Sequence, residues 1–172
     1  MMKNREKSIG IYIHIPFCVR KCHYCDFLSY PGGPQEKKQY VRLLGREMQN
    51  WRQKISFSAA DTVFIGGGTP SLLAVEDMDV LFQALSDHFS PGNLSEFSLE
   101  CNPGTVTAEK LKLCREAGVS RISIGMQSAV DRELQELGRI HTYDGFLTCY
   151  EMVRREGFDN VNIDVMAAVP GQ

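Results

Sequence analysis

Short apolar runs alternate with amphipathic helical patterns along the whole 172-residue chain, and this alternation constrains the fold more than any other feature. Segments 9–15 (IGIYIHI), 62–65 (TVFI), 96–100 (EFSLE), 121–124 (RISI) and 161–165 (VNIDV) read as strands. Helical patterns fall near 35–54, 75–89, 107–117, 131–137 and 143–156. Thr107 and Asp131 stand where N-caps belong, and Glu76 and Asp77 put negative charge in a first turn. Gly118 and Gly157 suit left-handed positions at helix C-termini. Strand and helix in repeated alternation predict an α/β fold, a parallel sheet with helices outside. Right-handed crossovers curl such a sheet into a barrel-like or a doubly wound layout, and in both the chemistry lies at the carboxyl ends of the strands.

The chemistry-bearing residues gather at those ends. Three cysteines follow the first strand as Cys18, Cys22 and Cys25, a C-x3-C-x2-C spacing in CVRKCHYC. Gly66-Gly67-Gly68-Thr69-Pro70-Ser71 follows the second, where glycines let consecutive backbone amides and carbonyls face a ligand. Glu100 ends the third, placed to accept hydrogen bonds from ribose hydroxyls, with a solvated strand-end charge as the alternative.

Compartment decides how the thiols are read. Net charge is −2, which removes the basic field that draws a protein to nucleic acid. No stretch approaches the roughly 18 apolar residues of a membrane span. Met1 to Ser8 is basic but has no long apolar segment or small-residue cleavage site behind it. A reducing, cytoplasmic location is the expectation, and six cysteines there are not a disulfide framework. A structural zinc site built on Cys22 and Cys25 wants a second cysteine pair, which is absent. A [4Fe–4S] cluster normally takes four thiolates. Three on one loop leave the fourth iron open, as substrate or cofactor ligation requires. Cys101, Cys114 and Cys149 read as small core residues, with Cys101 facing away from Glu100. His14, on strand one, reads as a satisfied structural histidine, with a role near the cofactor as the alternative.

C-x3-C-x2-C with an aromatic residue, Tyr24, before the last cysteine resembles the radical S-adenosylmethionine (SAM) signature. In that family the open iron chelates the amino and carboxylate groups of SAM, and the reduced cluster cleaves the sulfonium to a 5′-deoxyadenosyl radical. The resemblance implies a partial (β/α) barrel of about five βα units. Cys18, Cys22 and Cys25 would be the cluster ligands, and Gly67, Gly68 and Thr69 would meet the SAM amino group. Tyr12, Tyr24, Glu100, Gln127, Arg139 and Asp164 would line the cofactor pocket. No catalytic residue beyond these follows from it.

IHIPFC, CDF, FIGGGTPSLL, NPGT, RISIGMQS, LGRIH and the terminal PGQ together resemble the oxygen-independent coproporphyrinogen III oxidase family, in its N-terminal part. The oxidases typically carry a further C-x-C cysteine beyond the third. Here Asp26-Phe27 follows Cys25, which resembles the heme-chaperone (HemW-type) branch. Cys101 and Ala167-Ala168 also depart from the family pattern. The implied function is a heme chaperone that binds heme or porphyrin and delivers heme to recipient hemoproteins, with a reductant such as flavodoxin or ferredoxin. Membrane association would come only through a partner. The alternatives are the oxidase, converting coproporphyrinogen III to protoporphyrinogen IX, and a zinc-binding module. Residues 1–172 are then a radical-SAM core domain truncated after its fifth strand. The C-terminal helical domain and its heme motif lie outside it, so no residue here is assigned to heme.

Overall fold

The computed structural model describes residues 8–55, 59–89 and 94–172. Of the basic N-terminal segment, residues 1–7 lie outside the described residues. Five parallel strands form one sheet in chain order: β1 Ser8–Ile15, β2 Ala59–Gly67, β3 Glu96–Cys101, β4 Arg121–Gln127 and β5 Asn160–Val165. The crossovers carry α1 Pro34–Lys54, α2 Val75–Phe89 and α3 Ala108–Glu116. Two helices, α4 Asp131–Glu136 and α5 Tyr143–Arg155, separate β4 from β5.

Strand alternation divides the sheet into two unlike faces. Ile13, Ile15, Val63, Ile65, Phe97, Leu99, Ile122 and Ile124 are buried on one. On α2, Met78, Leu81, Phe82, Leu85 and Phe89 repeat at helical spacing and complete that core. The rings of Phe82 and Phe97 meet edge-on at 6.0 Å, and emptying the Phe97 site costs about 3–5 kcal/mol. α1 lies beside α2, α2 beside α3, and α3 beside α5, so these four helices form one layer. The opposite face carries Tyr12, His14, Ser98, Glu100, Ser123, Asn162 and Asp164 and stays open. Helices on one face only, over strands in unbroken order, make a partial (β/α) barrel; a doubly wound sheet would be covered on both.

Most of the local signals hold. Thr107 caps α3 by accepting from the Lys110 amide at 3.3 Å, and Gly118 and Gly157 take positive φ behind α3 and α5. Asp131 is different: the residue before α4 is Val130, and Asp131 is the first helical residue. Its carboxylate accepts instead from the Tyr143 amide at 2.8 Å, at the start of α5. β2 and β4 run past the apolar runs that announce them. Gly66 and Gly67 continue the ladder opposite His14 and Ile15, and Gly125 and Gln127 continue it opposite Asp164 and Val165. Among the described residues no helix is long and apolar enough to cross a membrane.

Candidate functional site

The three spaced cysteines lie on a loop that leaves β1 at Ile15 and is fastened at several points. Phe17 is fully buried, with the rings of Tyr30 and Tyr40 edge-on to it at 5.6 and 5.3 Å. The Cys18 amide donates to the Tyr30 carbonyl at 3.1 Å, and the Tyr30 amide donates to Pro16 at 2.9 Å. His14 Nε2 donates to the Leu28 carbonyl at 2.8 Å, so its Nδ1 accepts from the Tyr12 hydroxyl at 2.9 Å. Both ring nitrogens are satisfied, and His14 serves as the loop's tie to the sheet.

From the other side the loop grips the segment after α4. Arg20 donates to the Gly138 and Arg139 carbonyls at 3.0 and 2.9 Å. His23 donates from Nδ1 to the Glu136 carbonyl at 2.9 Å, and its amide to Leu137 at 3.0 Å. Sequence reasoning gave neither residue a role, since their partners are backbone carbonyls that no side-chain pattern marks.

The glycine turn differs from expectation in what its amides do. Gly67 N donates to the Glu100 carboxylate at 3.0 Å, Gly68 N to Ile15 at 2.8 Å and Thr69 N to Phe17 at 2.7 Å. The amides therefore lock the turn against β1, β3 and the cysteine loop and do not face a ligand. Gly68 is sterically obligatory: a Cβ there would stand 2.7–2.9 Å from the backbone of Ile15 and Phe17, whereas one on Gly66 would meet only the side chains of Phe64 at 2.6 Å and Glu100 at 2.8 Å.

Glu100 turns onto the open face, where burial pushes its carboxyl above the ordinary range; the Gly67 amide opposes that and the Asp164 charge adds to it. Asp164 is held by Asn162 at 2.7 Å and Ser123 at 3.3 Å. Gln127 has φ +70°, a left-handed conformation that a non-glycine residue holds only when its surroundings impose it. Its carbonyl accepts from the Met166 amide at 2.9 Å beside the register shift between β4 and β5. Tyr12 stacks on Phe64 on the open face and bonds His14. It stands outside the cavity described next.

Arg139 reaches into the centre of these elements. Its Nη1 donates toward Cys22 Sγ at 3.8 Å and the Tyr24 hydroxyl at 3.5 Å; its Nη2 donates to Asn102 Oδ1 at 2.6 Å and the Gly125 carbonyl at 2.7 Å. Arg139 Nε is buried with no partner. Burial raises the Tyr24 phenol pKa, and the Arg139 charge works against it. Asn102 also donates from Nδ2 to Thr69 Oγ1 at 2.8 Å, and Thr69 Oγ1 lies 3.6 Å from Cys18 Sγ. The asparagine sits in the quoted NPGT turn; only its place at the carboxyl end of a strand could have drawn attention to it.

One cavity of about 750 Å³ joins these groups. Cys18, Cys22, Cys25, Tyr24, Gly67, Gly68, Thr69, Glu100, Gln127, Arg139 and Asp164 all line it. Among the described residues no three His, Cys, Asp or Glu side chains converge on a single ion point. The other three cysteines are buried, as the sequence suggests, but they are not isolated. Cys149 neighbours Cys101, and that neighbour together with burial pushes the Cys101 thiol up.

The family model for the Radical SAM superfamily matches residues 12–172. The heme chaperone HemW of Bacillus subtilis (strain 168) is 43% identical over 162 residues, covering 94% of this chain and 43% of that protein. HemW of Escherichia coli (strain K12) is 38% identical over 165 residues, 95% of this chain and 44% of the relative. This chain thus spans less than half the length of these relatives. In structure, E. coli coproporphyrinogen III oxidase (HemN) superposes with a TM-score of 0.87 at 24% identity, over 97% of this chain and 39% of that one. The likeness is one of fold.

Proposed function

This chain belongs to the radical SAM superfamily, and on that premise we propose that Cys18, Cys22 and Cys25 hold a [4Fe–4S] cluster whose open iron faces SAM. The observation that carries this is the cavity itself: three half-exposed thiols on one wall, with Glu100, Gln127, Arg139, Asp164 and the glycine turn around them. The donor set fits such a group. In a cubane each thiolate ligates its own iron, so the sulfurs stand around the cluster, whereas tetrahedral zinc gathers four donors at about 2.3 Å from one ion.

When bound, the cluster supplies one-electron reduction of the SAM sulfonium. The chain's own residues bind and orient. An ammonium needs acceptors, and the turn meets that need: with the amides of Gly67, Gly68 and Thr69 turned to protein partners and the Thr69 carbonyl accepting from Leu72, the Gly67 and Gly68 carbonyls are the groups it offers a donor. Arg139 Nε, buried and unpaired, suits a carboxylate. Glu100 and Asp164 supply acceptors for hydroxyls.

The biological role we propose is heme chaperone, supported by 43% and 38% identity to HemW proteins and by Asp26 after the third cysteine. Its partners would be heme or porphyrin, recipient hemoproteins and a one-electron donor of the flavodoxin or ferredoxin class. Six free thiols suit a reducing cytoplasm. Heme contacts are assigned to no residue of this chain.

Electron paramagnetic resonance on anaerobically reconstituted, dithionite-reduced protein tests the cofactor reading. A [4Fe–4S]+ signal that shifts on adding SAM is expected; folded protein that takes up no cluster would refute it. Incubation with coproporphyrinogen III tests the role. Stoichiometric protoporphyrinogen IX would replace the chaperone with the oxidase.

A further inference from the structure

Two of the three loop sulfurs each receive a hydrogen-bond donor, and both donors are held by the same side chain. Thr69 Oγ1 accepts from Asn102 Nδ2 at 2.8 Å, which leaves the threonine's single hydroxyl proton free to point at Cys18 Sγ, 3.6 Å away. Asn102 Oδ1 accepts from Arg139 Nη2 at 2.6 Å and, with the Gly125 carbonyl 2.7 Å from the same nitrogen, turns Nη1 toward Cys22 Sγ at 3.8 Å. The result is a continuous polar path: Cys18 sulfur, Thr69, Asn102, Arg139, Cys22 sulfur. Its members come from the cysteine loop, the turn after β2, the end of β3 and the segment after α4.

The path is built into the backbone. The Asn102 amide donates to Ser71 Oγ at 3.3 Å, and its carbonyl accepts from Thr105 Oγ1 at 2.8 Å. Thr69 is itself buried, with its amide on Phe17. Opposite, Gly125 leaves the space these groups fill, since a Cβ there would lie 2.7 Å from Asn102 Oδ1 and 3.1 Å from Arg139 Nη2.

We propose that Asn102 is a positioning residue that sets the reduction potential of the cluster by aiming Thr69 and Arg139 at the sulfurs of Cys18 and Cys22. The proposal rests on the cluster assignment made above. Reduction adds negative charge to the cluster and its sulfurs, and donors directed at them stabilise the reduced form more than the oxidised one. Loss of Asn102 frees Thr69 and leaves Arg139 only its Gly125 and Tyr24 contacts, so reduction becomes less favourable and the potential falls. Asn102 needs no contact with the cofactor for this effect.

The test is a redox titration followed by electron paramagnetic resonance on reconstituted protein without SAM. Asn102→Ala is expected to disfavour reduction about tenfold, which is 59 mV for a one-electron couple, with iron and sulfide contents of the parent. Thr69→Val should shift the potential in the same direction by less, and Thr69→Ser, which keeps the hydroxyl, should match the parent. A parent potential in cluster-replete Asn102→Ala would overturn the proposal. If Asn102→Ala takes up no cluster, the two Thr69 variants decide, and equal potentials for them would refute it. A parent protein that forms no cluster would instead refute the cofactor reading, so the two failures are distinguishable.

Discussion

Gly68→Ala is the smallest change that should separate the cysteine loop from the glycine turn. Gly68 lacks a positive φ, so the substitution carries no backbone penalty and its whole effect is steric. The new methyl carbon would meet the Phe17 carbonyl at 2.7 Å, the Ile15 carbonyl at 2.8 Å and the Phe17 amide at 2.9 Å. All three are backbone atoms and none can rotate away. Reaching ordinary contact at 3.4 Å needs a displacement of 0.5–0.7 Å. The bonds Gly68 N to Ile15 and Thr69 N to Phe17, now 2.8 and 2.7 Å, lie in the direction of that movement. Overpacking of this kind costs about 1–3 kcal/mol, and each weakened hydrogen bond adds up to about 1 kcal/mol. The expected loss is therefore about 2–4 kcal/mol. Urea unfolding of the cluster-free protein, followed by circular dichroism, measures it. Gly45→Ala is the control: it lies within α1 with only an ordinary 3.4 Å contact to Ala84, and should stabilise by about 0.5–1 kcal/mol. Iron uptake should drop in Gly68→Ala and not in the control. A Gly68→Ala protein within about 0.5 kcal/mol of the parent, loading iron normally, would show that the turn does not brace the loop.

Glu100→Gln should change the pH dependence of stability. The folded carboxyl titrates above its ordinary value of 4.5, so its ionisation costs folding free energy as pH rises through that higher range. Unfolding titrations from pH 4 to 8 should find the variant gaining on the parent as pH increases; a constant difference would contradict the buried-carboxylate reading. Gln127→Gly should relieve left-handed strain and stabilise the cluster-free protein by about 1 kcal/mol while weakening the SAM-induced spectral shift, since the side chain lines the cavity. Lys110→Met removes donors to the Ser71 and Thr105 carbonyls at 2.7 and 2.9 Å. Half-exposure tempers that loss to about 1–2 kcal/mol, readable as a lower urea midpoint.

Sequence carried the architecture because burial enforces it. Ile13, Ile15, Val63, Ile65, Ile122 and Ile124 must face the helices, and their alternation leaves polar residues for the other face. Glycine extensions of strands escaped notice for the converse reason: Gly66, Gly67 and Gly125 have no side chain to show alternation, yet their backbones continue the ladders. The choice between barrel and doubly wound sheet was illegible locally, since it depends on which side successive crossovers pass. At the site, motif spacing located the thiols, the turn and Glu100. The supports contributed by Arg20, His23 and Asn102 were hidden because they act through carbonyls or through other side chains at large sequence separation. Asp131 shows how local rules mislead: a carboxylate near a helix start caps the neighbouring helix once the two starts are brought together.

The clamp from Arg20 and His23 also gives the site a history in time. Arg20 and its Gly138 acceptor are 118 residues apart. At about 5–20 residues per second, a ribosome needs roughly ten seconds to make the chain between them. Throughout that interval the three thiols are synthesised and their far wall does not yet exist. The loop can close over them only when the segment following α4 has emerged, so delivery of the proposed cluster to the nascent chain and to the finished fold would meet different barriers.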